Sequence, residues 1–102
     1  MYIDDCVEGI HRLLESDYPH PLNIGSEELV TVDQLVDLVA EIAGKRIGKR
    51  HDTSRPQGVR GRNSDNSRLR GVLGWEPRIR LNEGLVPTYR WIESELGKAG
   101  RV

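Results

Sequence analysis

Apolar residues recur along the chain as helical stripes and short isolated groups, separated by long polar runs. Near the start, Val7, Ile10 and Leu14 share one face at spacings of three and four, Cys6 and Leu13 flank it, and Asp4 or Asp5 can cap it. This predicts a helix over 4–16. The prolines of Tyr18-Pro19-His20-Pro21 lack an N–H and restrict their predecessors, so the chain turns or extends there. Leu22-Asn23-Ile24-Gly25 reads as a brief strand closed by glycine. The strongest helix signal follows at 31–44: Thr31-Val32-Asp33-Gln34 has capping-box form, and Val32, Leu35, Val36, Leu38, Val39, Ile42 and Ala43 make a broad stripe ending at Gly44.

Beyond Gly44 the pattern thins. A strand near 47–51 would have Ile47 as its sole apolar residue, and from Asp52 to Asn66 the single aliphatic side chain is Val59. Such a stretch cannot be core. Ser64 or Asp65 can cap a short helix at 65–73 carrying Leu69, Val72 and Leu73 and stopped by Gly74, and Trp75-Glu76-Pro77 reads as a turn. A last helix over 82–97 would present Leu85, Tyr89, Ile92 and Leu96, with Pro87 removing one backbone bond and kinking it.

With 102 residues and 36% hydrophobic content, the chain is one domain's worth, enough for one modest core and too short for a cofactor domain plus a substrate domain. One cysteine excludes an internal disulfide and favours a reducing compartment. Acids at Asp4 and Asp5 stand where a signal peptide wants a basic start, and no long apolar run follows. A soluble, cytoplasmic protein with no membrane partner is expected. Charge is unevenly spread: residues 1–44 hold ten acids against Arg12, a net of −9, whereas 45–80 hold eleven basic residues against Asp52, Asp65 and Glu76, a net of +8. That asymmetry points to an anionic ligand for the middle stretch, or to acidic and basic parts that face each other.

Catalytic groupings are thin. Cys6 and His11 lie five residues apart on one predicted helix, about 140° around its axis, so they do not pair as thiolate and base, and Cys6 reads as a buried structural thiol. His20 and His51 have no second ligand at metal spacing. Neither a Gly-x-Gly-x-x-Gly turn nor a P-loop is present. The segment Arg55-Pro56-Gln57-Gly58-Val59-Arg60-Gly61-Arg62-Asn63-Ser64-Asp65-Asn66 does carry chemistry. Guanidinium groups grip phosphate in a bidentate way, glycines let a backbone approach, and Asn, Ser and Asp can meet sugar hydroxyls. Either a phosphate-bearing small molecule or nucleic acid would suit it.

The run Gly58-Val59-Arg60-Gly61-Arg62-Asn63-Ser64-Asp65-Asn66 is followed by Leu73-Gly74-Trp75-Glu76-Pro77, then Leu81-Asn82-Glu83-Gly84-Leu85, Thr88-Tyr89 and Trp91-Ile92. Together with Tyr2-Ile3-Asp4-Asp5-Cys6-Val7-Glu8-Gly9-Ile10 and Asn23-Ile24-Gly25-Ser26, it closely resembles the C-terminal portion of the NAD-dependent epimerase/dehydratase family, the extended short-chain dehydrogenase/reductases. The arginine-bearing run is the narrowest part and favours the branch acting on GDP-mannose. The likeness covers Tyr2 to about Leu96.

The resemblance implies an α/β fold: a C-terminal fragment with helices and a few short strands, the Rossmann nucleotide-binding core missing. It implies that residues 1–30 are a remnant helix and strand of the Rossmann domain and 31–102 a nucleotide-sugar-binding domain. It implies a GDP-mannose-like nucleotide diphosphate sugar as partner, with Arg62 contacting substrate and Arg60, Asp65 and Arg55 as further candidates. Asp65 has an alternative as a helix cap and Arg60 as a surface charge. NAD is the cofactor of the full-length relatives; none is expected in this chain, which lacks the family's glycine-rich turn and Tyr-x-x-x-Lys pair and would not catalyse alone. Self-association through the exposed Rossmann-facing surface is expected, and no nucleic acid. The competing reading is a small protein using the basic stretch 45–80 on nucleic acid or an acidic partner, against which stands the scarcity of aromatics there.

Overall fold

The computed structural model describes residues 1–101. Its four helices are α1 (Ile3–Glu15), α2 (Val32–Ala43), α3 (Ser67–Leu73) and α4 (Leu81–Lys98). Among the described residues there is no strand, so the α/β expectation is corrected to an all-helical architecture. The physical reason is visible at both sites. Residues 22–26 lie beside 63–66, but between them only Ser64 N–H donating to Ser26 O joins main chain to main chain; the other bonds use side chains, and a ladder needs repeated backbone pairs. At 47–51, Ile47 is exposed, while Lys49 and His51 turn to the acids of α2.

The chain divides into two compact units, residues 1–29 with 63–84, and 30–62 with 85 onward. In the first, α1 begins at Tyr2, whose side chain makes no cap bond, and Asp4 and Asp5 sit in the first turn, where the helix macrodipole favours acids. Asp5 is not a cap. It is buried, and its Oδ2 accepts the N–H groups of Arg78 (2.9 Å) and Ile79 (2.7 Å), fastening α1 to the loop before α4. The helix packs through its small residue: a Cβ on Gly9 would lie 2.8 Å from both Ile24 Cγ2 and the Trp75 ring. Trp75 is thereby 5% exposed, and the Arg12 guanidinium stands 5.8 Å from its ring centroid. Gly84 likewise receives Tyr2, at 2.9 Å from its would-be Cβ. The opposite face of α1, with Ile3, Val7, Ile10 and Leu14, is exposed. Cys6 is half-buried rather than enclosed.

The second unit centres on α2. Thr31 Oγ1 accepts from Gln34 N–H at 3.0 Å, Gln34 Oε1 accepts from Thr31 N–H at 2.8 Å, and Gly44 ends the helix in the left-handed conformation at φ 64°. Of the apolar stripe, Val32 is exposed and the others half-buried; the buried residue of the helix is Ala40, which the stripe does not include. Lys49 Nζ pairs with Asp37 at 2.7 Å, and His51 Nε2 stands 2.9 Å from Asp33 Oδ1. The C-terminal part of α4 runs through Pro87 without a break and places Val86 and Tyr89 beside Ile42 and Ala43, around a cleft of about 420 Å³. No described helix is long and apolar enough to cross a membrane.

Candidate nucleotide-sugar site

The stretch leading into the candidate site is organised by Asp52. Its Oδ1 accepts from Ser54 N–H (3.0 Å) and Ser54 Oγ–H (2.6 Å), and its Oδ2 from Arg55 Nε–H (3.3 Å). These bonds, the Ser54 hydroxyl first, hold the Asp52 carboxyl below the usual aspartate range. Arg55, one of the sequence candidates, is thus tethered to Asp52 while 81% exposed. Residues 56–62 are exposed throughout, and a Cβ on Gly58 would meet nothing within 4 Å. Arg60 and Arg62 lie in this open stretch. An exposed guanidinium keeps its donors available for an incoming anion.

Immediately after Arg62 the chain enters the first unit and its character reverses. Asn63 Nδ2–H donates to Glu27 O (3.0 Å), Ser64 N–H to Ser26 O (2.8 Å), and Ser64 Oγ–H to Asn66 Oδ1 (2.7 Å). Asn66 is 2% exposed; its N–H donates to Glu27 Oε1 (3.0 Å) and its Nδ2–H to Gly25 O (2.9 Å). Arg70 Nη1 reaches Glu27 Oε1 at 3.0 Å and Glu76 Oε2 at 2.8 Å. The Asn66 N–H, then the Arg70 guanidinium, hold the Glu27 carboxyl below the usual glutamate range.

The four residues singled out from the sequence are therefore not alike. Arg55, Arg60 and Arg62 belong to the second unit and Asp65 to the first. Asp65 Oδ1 accepts from Ser67 N–H (3.0 Å) and Ser67 Oγ–H (2.6 Å), which lowers its pKa and makes it the turn-former before α3, whose N-cap is Asn66. It also borders a cleft of about 580 Å³ lined by Leu22, Asn23, Arg68 and Leu69 among others. Sequence reasoning missed Asn66, Glu27, Arg70 and the anchoring role of Asp5. Asn66 stands inside the motif, but its burial could not be read from a polar run. Among the described residues no group of three or more His, Cys, Asp or Glu is placed to hold a metal.

No protein-family model matches the chain. Curated relatives do. The chain is 45% identical to GDP-mannose 3,5-epimerase of Arabidopsis thaliana over 97 residues, 95% of this chain and 26% of the relative. It is 38% identical over 84 residues to UDP-glucuronic acid decarboxylase 6 of Arabidopsis thaliana, 82% of this chain and 24% of that protein. Against the probable GDP-L-fucose synthase 1 of Oryza sativa subsp. japonica it is 34% identical over 93 residues, 89% and 28%. The chain spans about a quarter of the length of these relatives. It is similar, then, to the C-terminal portion of sugar-nucleotide epimerases and dehydratases. Within that class, GDP-mannose 3,5-epimerase matches at higher identity than the decarboxylase or the fucose synthase.

Proposed function

We propose that this chain is the nucleotide-sugar-binding part of an epimerase resembling GDP-mannose 3,5-epimerase, with Arg62 gripping the diphosphate of a GDP-mannose-like sugar nucleotide. The observation that carries this reading is the run 58–66, an open arginine stretch followed in sequence by a tightly bonded end, within a sequence 45% identical to that enzyme. A guanidinium held on an exposed backbone offers paired N–H donors to phosphate oxygens, and Arg60 adds a second positive charge nearby in sequence. Arg55, already engaged by Asp52, contributes field more than direct contact.

The family resemblance implies NAD, and the glycine-rich turn whose backbone N–H groups cradle its diphosphate is not among the residues of this sequence. In the full-length relatives we place NAD, and with it the redox step, outside the matched region. The contribution we propose for this chain is to bind substrate.

Titration with GDP-mannose, followed by amide chemical shifts, tests the assignment. A hydrogen bond to a charged group contributes about 1.5–3 kcal/mol, so an isolated chain is expected to bind weakly, on the order of millimolar. Shifts should centre on 55–66 and Arg62→Ala should remove them, whereas Arg78→Ala should leave them. Shifts centred elsewhere overturn the reading, and larger, salt-sensitive shifts across 45–80 with a short oligonucleotide would replace it with nucleic-acid binding.

A further inference from the structure

The end of the arginine stretch is held by more bonds than a turn requires. Residues 25–27 supply the acceptors: Gly25 O, Ser26 O, Glu27 O and Glu27 Oε1 each receive a donor from residues 63–66. The two segments approach closely because position 25 has no side chain, its would-be Cβ lying 2.9 Å from Ser64 Cβ. Only one of these acceptors belongs to a side chain, the Glu27 carboxylate, and it alone also engages α3, through Arg70. Glu27 is half-exposed, so it fills no core and its packing does not explain its placement.

We propose that Glu27 is a positioning residue for the arginine stretch: by accepting the buried Asn66 N–H and the Arg70 guanidinium together, it locks residues 63–66 and so fixes the point from which Arg62 extends. Its value for binding rests on the reading of Arg62 as the diphosphate contact; the locking does not. An arginine tethered at one rigid end loses less freedom when it meets an anion than one on a chain loose at both ends.

The full chain is compared with Glu27→Ala, Glu27→Gln and Glu76→Ala by amide hydrogen exchange without ligand. Removing the carboxylate should speed exchange at Ser64 and Asn66 by about tenfold, the loss expected for one charge-assisted bond. Glu27→Gln keeps an oxygen that can accept from Asn66 N–H and should restore protection to within about threefold of the parent. Glu76→Ala removes the other partner of Arg70 and should leave Ser64 and Asn66 unchanged. Titration with GDP-mannose should then show about fivefold weaker binding for Glu27→Ala and near-parent binding for Glu27→Gln. Unchanged exchange in Glu27→Ala, or a Glu27→Gln variant as loose as Glu27→Ala, overturns the proposal, as does loosened exchange with undiminished GDP-mannose binding. If exchange responds as described but the parent chain binds no GDP-mannose, the lock stands and the ligand reading falls.

Discussion

Residues 52–62 and 63–66 adjoin in sequence and are built on opposite terms. The first stretch is exposed and its internal bonds are local, centred on Asp52 with Ser54 and Arg55. The second directs every polar side chain but Asp65 toward residues 25–27 or one another, and buries Asn66 to 2%. An amide enclosed with its partners matched adds rigidity and has nothing left for a ligand, whereas an exposed guanidinium keeps donors that can meet one. Bonded and open positions are thus divided between neighbouring residues, and substitutions in each should fail differently.

The largest effect is expected at Asn66. Asn66→Ala leaves Gly25 O and Ser64 Oγ without partners in a part-buried place and empties the buried site of the amide, and should lower the unfolding free energy by about 2–3 kcal/mol in urea titration. Next comes Gly25→Ala, where the new methyl meets Ser64 Cβ at 2.9 Å and one segment must shift; a loss of about 1–2 kcal/mol is expected, with crowding, not cavity formation, as its cause. Gly58→Ala, facing open space, should change stability by less than about 0.5 kcal/mol and so mark the contrast directly.

Acid should separate the two stretches less strongly. Because the Glu27 pKa is lowered on folding, its contribution is fully present above the ordinary glutamate value of 4.5 and is lost as pH falls through the lower folded value. The melting temperature of the parent should therefore drop more steeply below that pH than the melting temperature of Glu27→Gln. Equal slopes would show that Glu27 is not the group concerned. The smallest effect is expected from Arg60→Ala, with stability within about 0.5 kcal/mol of the parent by the same urea titration.

How far the sequence discloses this molecule depends on how local each interaction is. Thr31 and Gln34 cap α2 across three residues, and both ends of that helix fall where the pattern places them. The other three helices also appear within two residues of their expected bounds. The strands do not appear, because a strand exists only with a partner of suitable register, and four apolar or small residues at 22–25 say nothing about that partner. Asp5 has the signature of an N-cap yet bonds Arg78 and Ile79, more than seventy positions away. Amphipathicity identifies the stripe of Val7, Ile10 and Leu14, but the face of α1 that packs is the one with Asp5 and Gly9. Of the candidate site, the arginines are legible from composition and motif; the bonding of the residues that follow them is not, since Glu27 and Asn66 meet across thirty-nine positions.

The packing of Trp75 against Gly9 has an optical consequence. Trp75 belongs to the first unit at 5% exposure, and Trp91 to the second at 65%. An indole shielded from water emits at shorter wavelength and resists collisional quenchers, so the chain carries one spectrally distinct reporter in each unit. Acrylamide should quench the red side of the emission first, and a Gly9→Val chain should lose the blue component while keeping the red. A single denaturation followed at two wavelengths then shows whether the units melt as one or in sequence.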